Sequence, residues 1–243
     1  MAYGISPVQL AWEFGGLVKG NLALFVMAGW LFAFWPVAQA VRAAPPTPLA
    51  ADTSLAKLLA QRALDALHRG NDAASKEEEL AAYREGLELA NQAIKADETN
   101  ADAHFAAFAN NGSIMTLKKG PPNPLRLLEL TRELDRALEL NPQHPDALAG
   151  KGRMYRQLPR LLGGSLEKAA DYLSRAAALD PTDAAIRIDL ARTYRDLGRP
   201  QQSIPLLEQA VQLATTQGRD DDLAEARRLL AELRTTPDGG NEP

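Results

Sequence analysis

The chain contains no cysteine. That absence excludes a disulfide framework, a thiolate zinc site, a cysteine nucleophile and the acylated cysteine of a lipid anchor, and it is compatible with either side of a membrane. Positive charge is not in excess: 27 Lys and Arg stand against 31 Asp and Glu, a net charge of -4. This excludes a general nucleic-acid binder, whose surface must neutralise phosphates. Aromatic residues make up only 6% and valine and isoleucine are sparse, whereas alanine and leucine recur throughout the 243 residues. Alanine and leucine lose little freedom in a helix and β-branched residues lose more, so the composition predicts an all-α chain.

Charge is also missing between Lys19 and Arg42. Within that gap Asn21 to Trp35 is apolar, followed by Pro36 and the small-residue pattern Ala38-x-Ala40. Residues 1–42 therefore read either as a cleaved signal peptide or as a retained membrane anchor. The uncharged run over 20–41 is long enough for about 30 Å of hydrocarbon, with Trp30, Phe32, Phe34 and Trp35 suited to the interface. Either reading places the remainder in association with a membrane or secreted, and on the periplasmic side of a bacterium. Pro45, Pro46 and Pro48 make 43–51 an extended linker. Residues 52–235 are expected to form the folded domain, and 236–243 a disordered tail.

Internal periodicity organises 52–235. From Ala184 to Gln217, Leu190, Ala191, Tyr194, Gly198, Ser203, Leu207 and Ala210 fall at positions 7, 8, 11, 15, 20, 24 and 27 of a 34-residue unit. Leu190 and Tyr194 lie one turn apart on a first helix; Leu207 and Ala210 share a face of a second. Small residues at Ala191, Ser203 and Ala210 let the helices approach, and Gly198 ends the first in a tight turn. The preceding unit repeats the pattern with Leu148, Gly152 and Tyr155, then Ala169, Leu173 and Ala176, closed by Pro181; five extra residues lie within Gln157 to Gly164. An earlier unit, Ala101 to His144, has a second helix over Pro124 to Leu140 and an enlarged turn, with Asn110, Asn111 and Gly112 inside its first helix. The first unit, Asp52 to Asn100, is the most divergent. A last helix, Asp221 to Arg234, has an acidic start and basic later turns that suit the helix dipole.

This series resembles the tetratricopeptide repeat (TPR) family over most of 52–217. The resemblance implies a right-handed solenoid of about four helix hairpins plus the C-terminal capping helix, with a concave groove lined by the first helix of each pair. Arg187 stands where the family usually has an aromatic. A narrower stretch, Gly152-Arg153, then Leu158 to Gly164, then Lys168-Ala169, resembles the TPR accessory component of tripartite ATP-independent periplasmic (TRAP) transporters.

The resemblance implies a partner-binding groove at Arg153, Arg156, Gln157, Ile188, Arg192 and Arg195. Arginine forks bind carboxylates at two points, so an acidic or carboxylate-bearing protein or peptide is the expected partner. A competing reading pairs these arginines with Asp189, Asp196 or Glu208 on the surface. The Leu158 to Gly164 insertion reads as a lengthened turn packed on the neighbouring pair, or as an apolar edge of Pro159, Leu161 and Leu162 offered to a partner. His68, His104 and His144 read as solvated or half-buried, since none has the i, i+4 partner of a helical metal site. Gly150-Lys151-Gly152 lacks the strand and Ser/Thr of a phosphate loop, and Gly152 fills a small-residue slot. No cofactor and no catalytic residue is expected. The predicted function is a non-enzymatic, membrane-associated interaction scaffold facing the periplasm. The alternative is a transporter accessory relaying a ligand to a permease, which would show a cleft near Asn110, Asn111 and Arg153.

Overall fold

The alanine and leucine periodicity produces nine α-helices, and no strand, among the residues that the computed structural model describes: 52–118 and 124–235, backbone only for 124–126. The expected signal or anchor segment, the linker, the turn 119–123 and the tail lie outside them. Contacts divide the chain into Met1–Pro46 and Thr47–Pro243, and all that follows concerns the second unit. Its helices are α1 (Thr53–Asn71), α2 (Lys76–Ala96), α3 (Ala101–Leu117), α4 (Pro124–Leu140), α5 (Pro145–Gln157), α6 (Leu166–Leu179), α7 (Ala184–Asp196), α8 (Pro200–Gln217) and α9 (Asp220–Thr235). A short 3-10 turn, Arg160–Leu162, lies between α5 and α6.

Side chains fix where the helices begin. Asp52, Ser75, Asn100, His144, Ser165 and Asp183 each accept a hydrogen bond from the backbone N–H three residues on. Each satisfies an orphan donor of a helix first turn, worth about 1 kcal/mol. The turns that return the chain to α3 and α7 share one construction. Asp97 Oδ1 accepts from the Thr99 N–H (2.9 Å) and hydroxyl (2.7 Å), and Asp180 Oδ1 accepts from Thr182 at the same two distances. Before α5, Asn141 Oδ1 accepts from the Gln143 N–H at 3.1 Å. Each turn residue stands three positions ahead of the cap of the next helix, so turn and cap recur together as one unit.

Consecutive helices pack against each other, and each odd-numbered helix also meets the next odd-numbered one. The core runs through the stack as linked clusters. Ala63, Ala90 and Ala106 sit between α1, α2 and α3. Phe105, Leu134, Ala137 and Ala147 join α3, α4 and α5. Leu148, Leu173, Ala176, Ile186 and Leu190 join α5, α6 and α7. Leu207, Ala210, Ala214, Ala226 and Leu229 seal α7 and α8 under α9. Burying a leucine of this kind contributes about 2 kcal/mol. The close approach depends on the expected small residues: a Cβ on Gly152 would stand 2.6 Å from Leu173 Cγ, and Ser203 Oγ donates to Ala191 O at 2.8 Å. Gly198 takes a φ of 70° in the turn after α7.

Arg187 fills its aromatic slot as a polar clasp. It is buried, donating from Nε to Gln209 Oε1 (3.2 Å) and from Nη1 to Asp183 O (3.0 Å). Two histidines differ from their expected exposure, being only 5% exposed each. His104 Nδ1 lies 2.7 Å from Glu133 Oε2 and its Nε2 lies 3.0 Å from Glu98 O. His144 accepts from the Ala147 N–H through Nδ1, and its Nε2 lies 3.1 Å from Asp102 Oδ1.

Candidate functional site

The arginines picked from the sequence gather on one face. Arg153 is the ninth residue of α5 and its Nε donates to Asp189, the sixth residue of α7; Arg156, three residues further along α5, reaches Asp196 at the end of α7 at 3.4 Å. The earlier arginine meets the earlier aspartate and the later meets the later, so α5 and α7 run parallel. The same holds onward: Arg192 pairs with Glu225, and Arg195 with Glu232 at 3.6 Å, tying α7 to α9 in parallel.

Within this frame the pairs join into one circuit. Asp189 takes Arg153 on one oxygen and Arg192 on the other, the latter at 3.1 Å. Arg192 passes to Glu225, which Arg228 grips with two nitrogens at 2.6 and 2.8 Å. Arg228 also meets Glu232, which meets Arg195; Arg195 holds Asp196 at 3.0 Å, and Asp196 returns to Arg156. Among these residues five arginines share four carboxylates, leaving one cation in excess.

The electrostatics follow from that arrangement. Hydrogen bonds from Arg228, then from Arg192 against the opposing effect of burial, bring the Glu225 carboxyl down to about 2. Desolvation works against the charge of Arg153, but Asp189 outweighs it, so its guanidinium is held more firmly protonated. Its side chain nonetheless keeps 38% of its surface. A cation both crowded and accessible is what a recessed wall provides. Nearer the helix N-termini the sign changes. Desolvation raises the carboxyls of Asp146 and Asp222, with Asp183 adding repulsion to both.

Two expected groove residues stand differently. Gln157 is exposed at the end of α5. Ile188 is 2% exposed and packed in the core with Ala191 and Leu207, so it offers nothing to a partner. Its slot points inward because α9 covers that side of α7. Asp189 is buried at the centre of the circuit rather than on the surface, and Glu208 pairs with Arg234 instead. Glu225, Arg228 and Glu232 of α9 complete the face and were missed in the sequence, where α9 reads only as a cap; their i, i+3 and i+7 spacing was the available signal. Asn110 and Arg153 do not line one cleft. Asn110 is fully buried, its Nδ2 donating to Ala63 O (3.1 Å) and Ala106 O (2.9 Å), while Arg153 faces α7. Among the described residues no cluster of His, Asp and Glu suits a metal ion, and no helix is long and apolar enough to cross a membrane.

Hairpins whose first helices align in parallel, with alanine and glycine at the crossings, are the pattern of one repeat family, the tetratricopeptide repeat, and its model matches residues 160–233. Residues 160–233 carry tetratricopeptide repeats. Solved structures with a similar fold include pilF of Pseudomonas aeruginosa, 17% identical over 78% of each chain with a TM-score of 0.48. MamA from Desulfovibrio magneticus RS-1 is 18% identical, covering 76% of this chain and 98% of that one, at 0.44. TTC0263, a thermophilic TPR protein of Thermus thermophilus, is 16% identical, covering 72% and 93%, also at 0.44. No curated protein matches the chain. In tetratricopeptide terms α5 and α7 are first helices of their repeats, and such a fold implies protein or peptide partners.

Proposed function

We propose that the chain is a non-enzymatic scaffold that holds a protein or peptide through the α5–α7–α9 face, and that it does so at a membrane, outside the cytoplasm. The observation that carries the reading is the arginine circuit. Its guanidiniums are already oriented by carboxylates of the fold, so a ligand carboxylate meets prepared forks rather than free side chains that must be ordered on binding. Arg153, whose side chain keeps part of its surface beside Asp189, is where such a ligand would meet the circuit. Asp146, Asp183 and Asp222 set a negative end to the face, which favours a ligand acidic at one end only. The apolar run from Asn21 to Trp35 supports the membrane setting at the level of sequence.

The test uses acidic peptides ending in a free or an amidated carboxyl, with binding read by fluorescence anisotropy. Arg153→Gln combined with Arg156→Gln is expected to weaken capture of the free-carboxyl peptides about tenfold, the worth of one charge-assisted bond. Raised salt should weaken it as well. Unchanged binding by a variant that keeps its helical circular dichroism would remove the groove from the function.

A further inference from the structure

The turn between α5 and α6 is a built projection. The Leu162 N–H donates to Pro159 O (2.8 Å), Gly163 to Arg160 O (3.1 Å), Gly164 to Pro159 O (3.1 Å) and Ser165 to Tyr155 O (3.0 Å). Gly163 takes a φ of 90°, and a Cβ on Gly164 would fall 1.8 Å from Leu158 O, so only glycine fits at either place. This self-bonded turn holds Leu161 99% exposed and Leu162 54% exposed. Of the two readings of the insertion, the turn packed on its neighbour is therefore not what forms. A lone exposed leucine is ordinary, but two in succession at the tip of a fixed turn are not.

The charges around this tip have one dominant sign. Because α5 and α7 run parallel, the turn after α7 lies at the same edge and brings Arg199. Arg160 and Arg199 are exposed and make no ion pair among the described residues, unlike every arginine of the circuit. Lys168 adds a third cation, standing 5.3 Å over the Tyr155 ring. Of the acids here, Asp196 is engaged by Arg156 and Arg195, which leaves Glu167 and, one turn beyond Lys168, Asp171. The opposite edge carries Asp97, Asp102, Asp146, Asp180 and Asp183. At the first hairpin the sign reverses with Glu77, Glu78 and Glu79, while Lys118 at the end of α3 adds an exposed cation to the edge.

We propose that this edge docks on an anionic lipid surface, with Leu161 and Leu162 entering the boundary between headgroups and acyl chains and Arg160, Lys168 and Arg199 facing lipid phosphates. A protruding apolar tip flanked by unpaired cations matches the two-part chemistry of such a surface, apolar insertion plus attraction to negative headgroups. A protein partner would instead have to supply a pocket for the tip. The inference is independent of the groove, which involves other residues on another face.

The lack of native cysteine makes the test direct. The full chain carrying Leu161→Cys, labelled with a polarity-sensitive dye, is mixed with vesicles of phosphatidylcholine alone or with phosphatidylglycerol; Gln143→Cys, on the acidic edge, is the control. The expected result is a blue shift, quenched by brominated lipid, at position 161 on phosphatidylglycerol vesicles and none at position 143. Adding Arg160→Glu and Arg199→Glu should reduce vesicle affinity at least about tenfold, each cation near the surface being worth about 1 kcal/mol. Any tethering by the apolar run near the N-terminus acts on both vesicle types alike, so their difference isolates this edge. The proposal is overturned by an equal signal on the two vesicle types or by no lipid quenching at position 161. Photocrosslinking of position 161 to a protein in intact membranes, with the lipid quencher silent, assigns the tip to a protein pocket and overturns it too.

Discussion

Asp189 is the residue on which the most depends. It is buried, and both of its oxygens are claimed by arginines of different repeats. Asp189→Ala leaves two guanidiniums without their central acceptor and should cost about 2–3 kcal/mol in urea unfolding, whereas Glu208→Ala, which removes an exposed pair with Arg234, should cost under about 0.5 kcal/mol. His104 makes a second residue-scale case. The Glu133 carboxylate and the Glu98 carbonyl face its two nitrogens, an arrangement of acceptors that favours the protonated ring. Burial opposes that charge, but the hydrogen bonds to Glu133 and Glu98 O, with the Glu133 charge, raise the imidazolium above its ordinary value. A raised histidine stabilises fully below its unfolded pKa of about 6.5 and loses that contribution as pH rises through the folded value. Denaturation midpoints of the native chain should therefore fall as pH rises past about 6.5, and His104→Gln should flatten that slope.

At the scale of helices, the sequence disclosed its elements well where small and large apolar residues alternate at repeat spacing. The helix over Pro124–Leu140, the slots of Gly152, Ala191 and Ser203, and the tight turn at Gly198 all stand as the spacing predicts. The prediction that tests this packing is Gly152→Ala. Its methyl group would press on Leu173 in the α5–α6 crossing, costing about 1–3 kcal/mol in thermal or urea unfolding. What the sequence concealed were pairings set by the angle between repeats. Four arginines could be placed on one side by position alone, with Asp189 and Asp196 among their candidate partners, but not Glu225 and Glu232, which come into reach only when α7 and α9 nest. Ile188 was misplaced for the same reason: the wall on its side is supplied by α9, which does not follow the 34-residue pattern. The fate of the α5–α6 insertion was open too, since its composition suits a packed turn as well as a projecting one and its internal hydrogen bonds decide.

For the molecule as a whole, the linked clusters mean that stability passes from repeat to repeat through shared faces. Removing α9 exposes Leu207, Ala210 and Ala214, and also strips Glu225 and Glu232 from the arginines. A chain ending at Gly218 should lose cooperativity and self-associate, as seen by sedimentation and by a broadened melting curve. Acid acts at distributed points. The Thr99 and Thr182 hydrogen bonds hold the Asp97 and Asp180 carboxyls below their usual range, and Glu225 lies at about 2. Depressed carboxyls stabilise above their unfolded pKa and lose that contribution as pH falls through the folded one. The share of urea resistance that these carboxylates contribute should thus be full above about pH 4.5 and decline steadily toward pH 2.

The arginine circuit crosses from α5 to α9 on the side of the first helices; the second helices have no such circuit, only isolated polar ties such as Arg234 with Glu208 and Gln217 with Thr182 O. Such a stack is mechanically uneven, like a strip with a cord stitched along one margin. Its resistance to being straightened depends on ions in the medium, while its resistance to being bent further does not. In an optical trap, compliance under gentle extension would then be adjustable by sodium chloride without any change in fold.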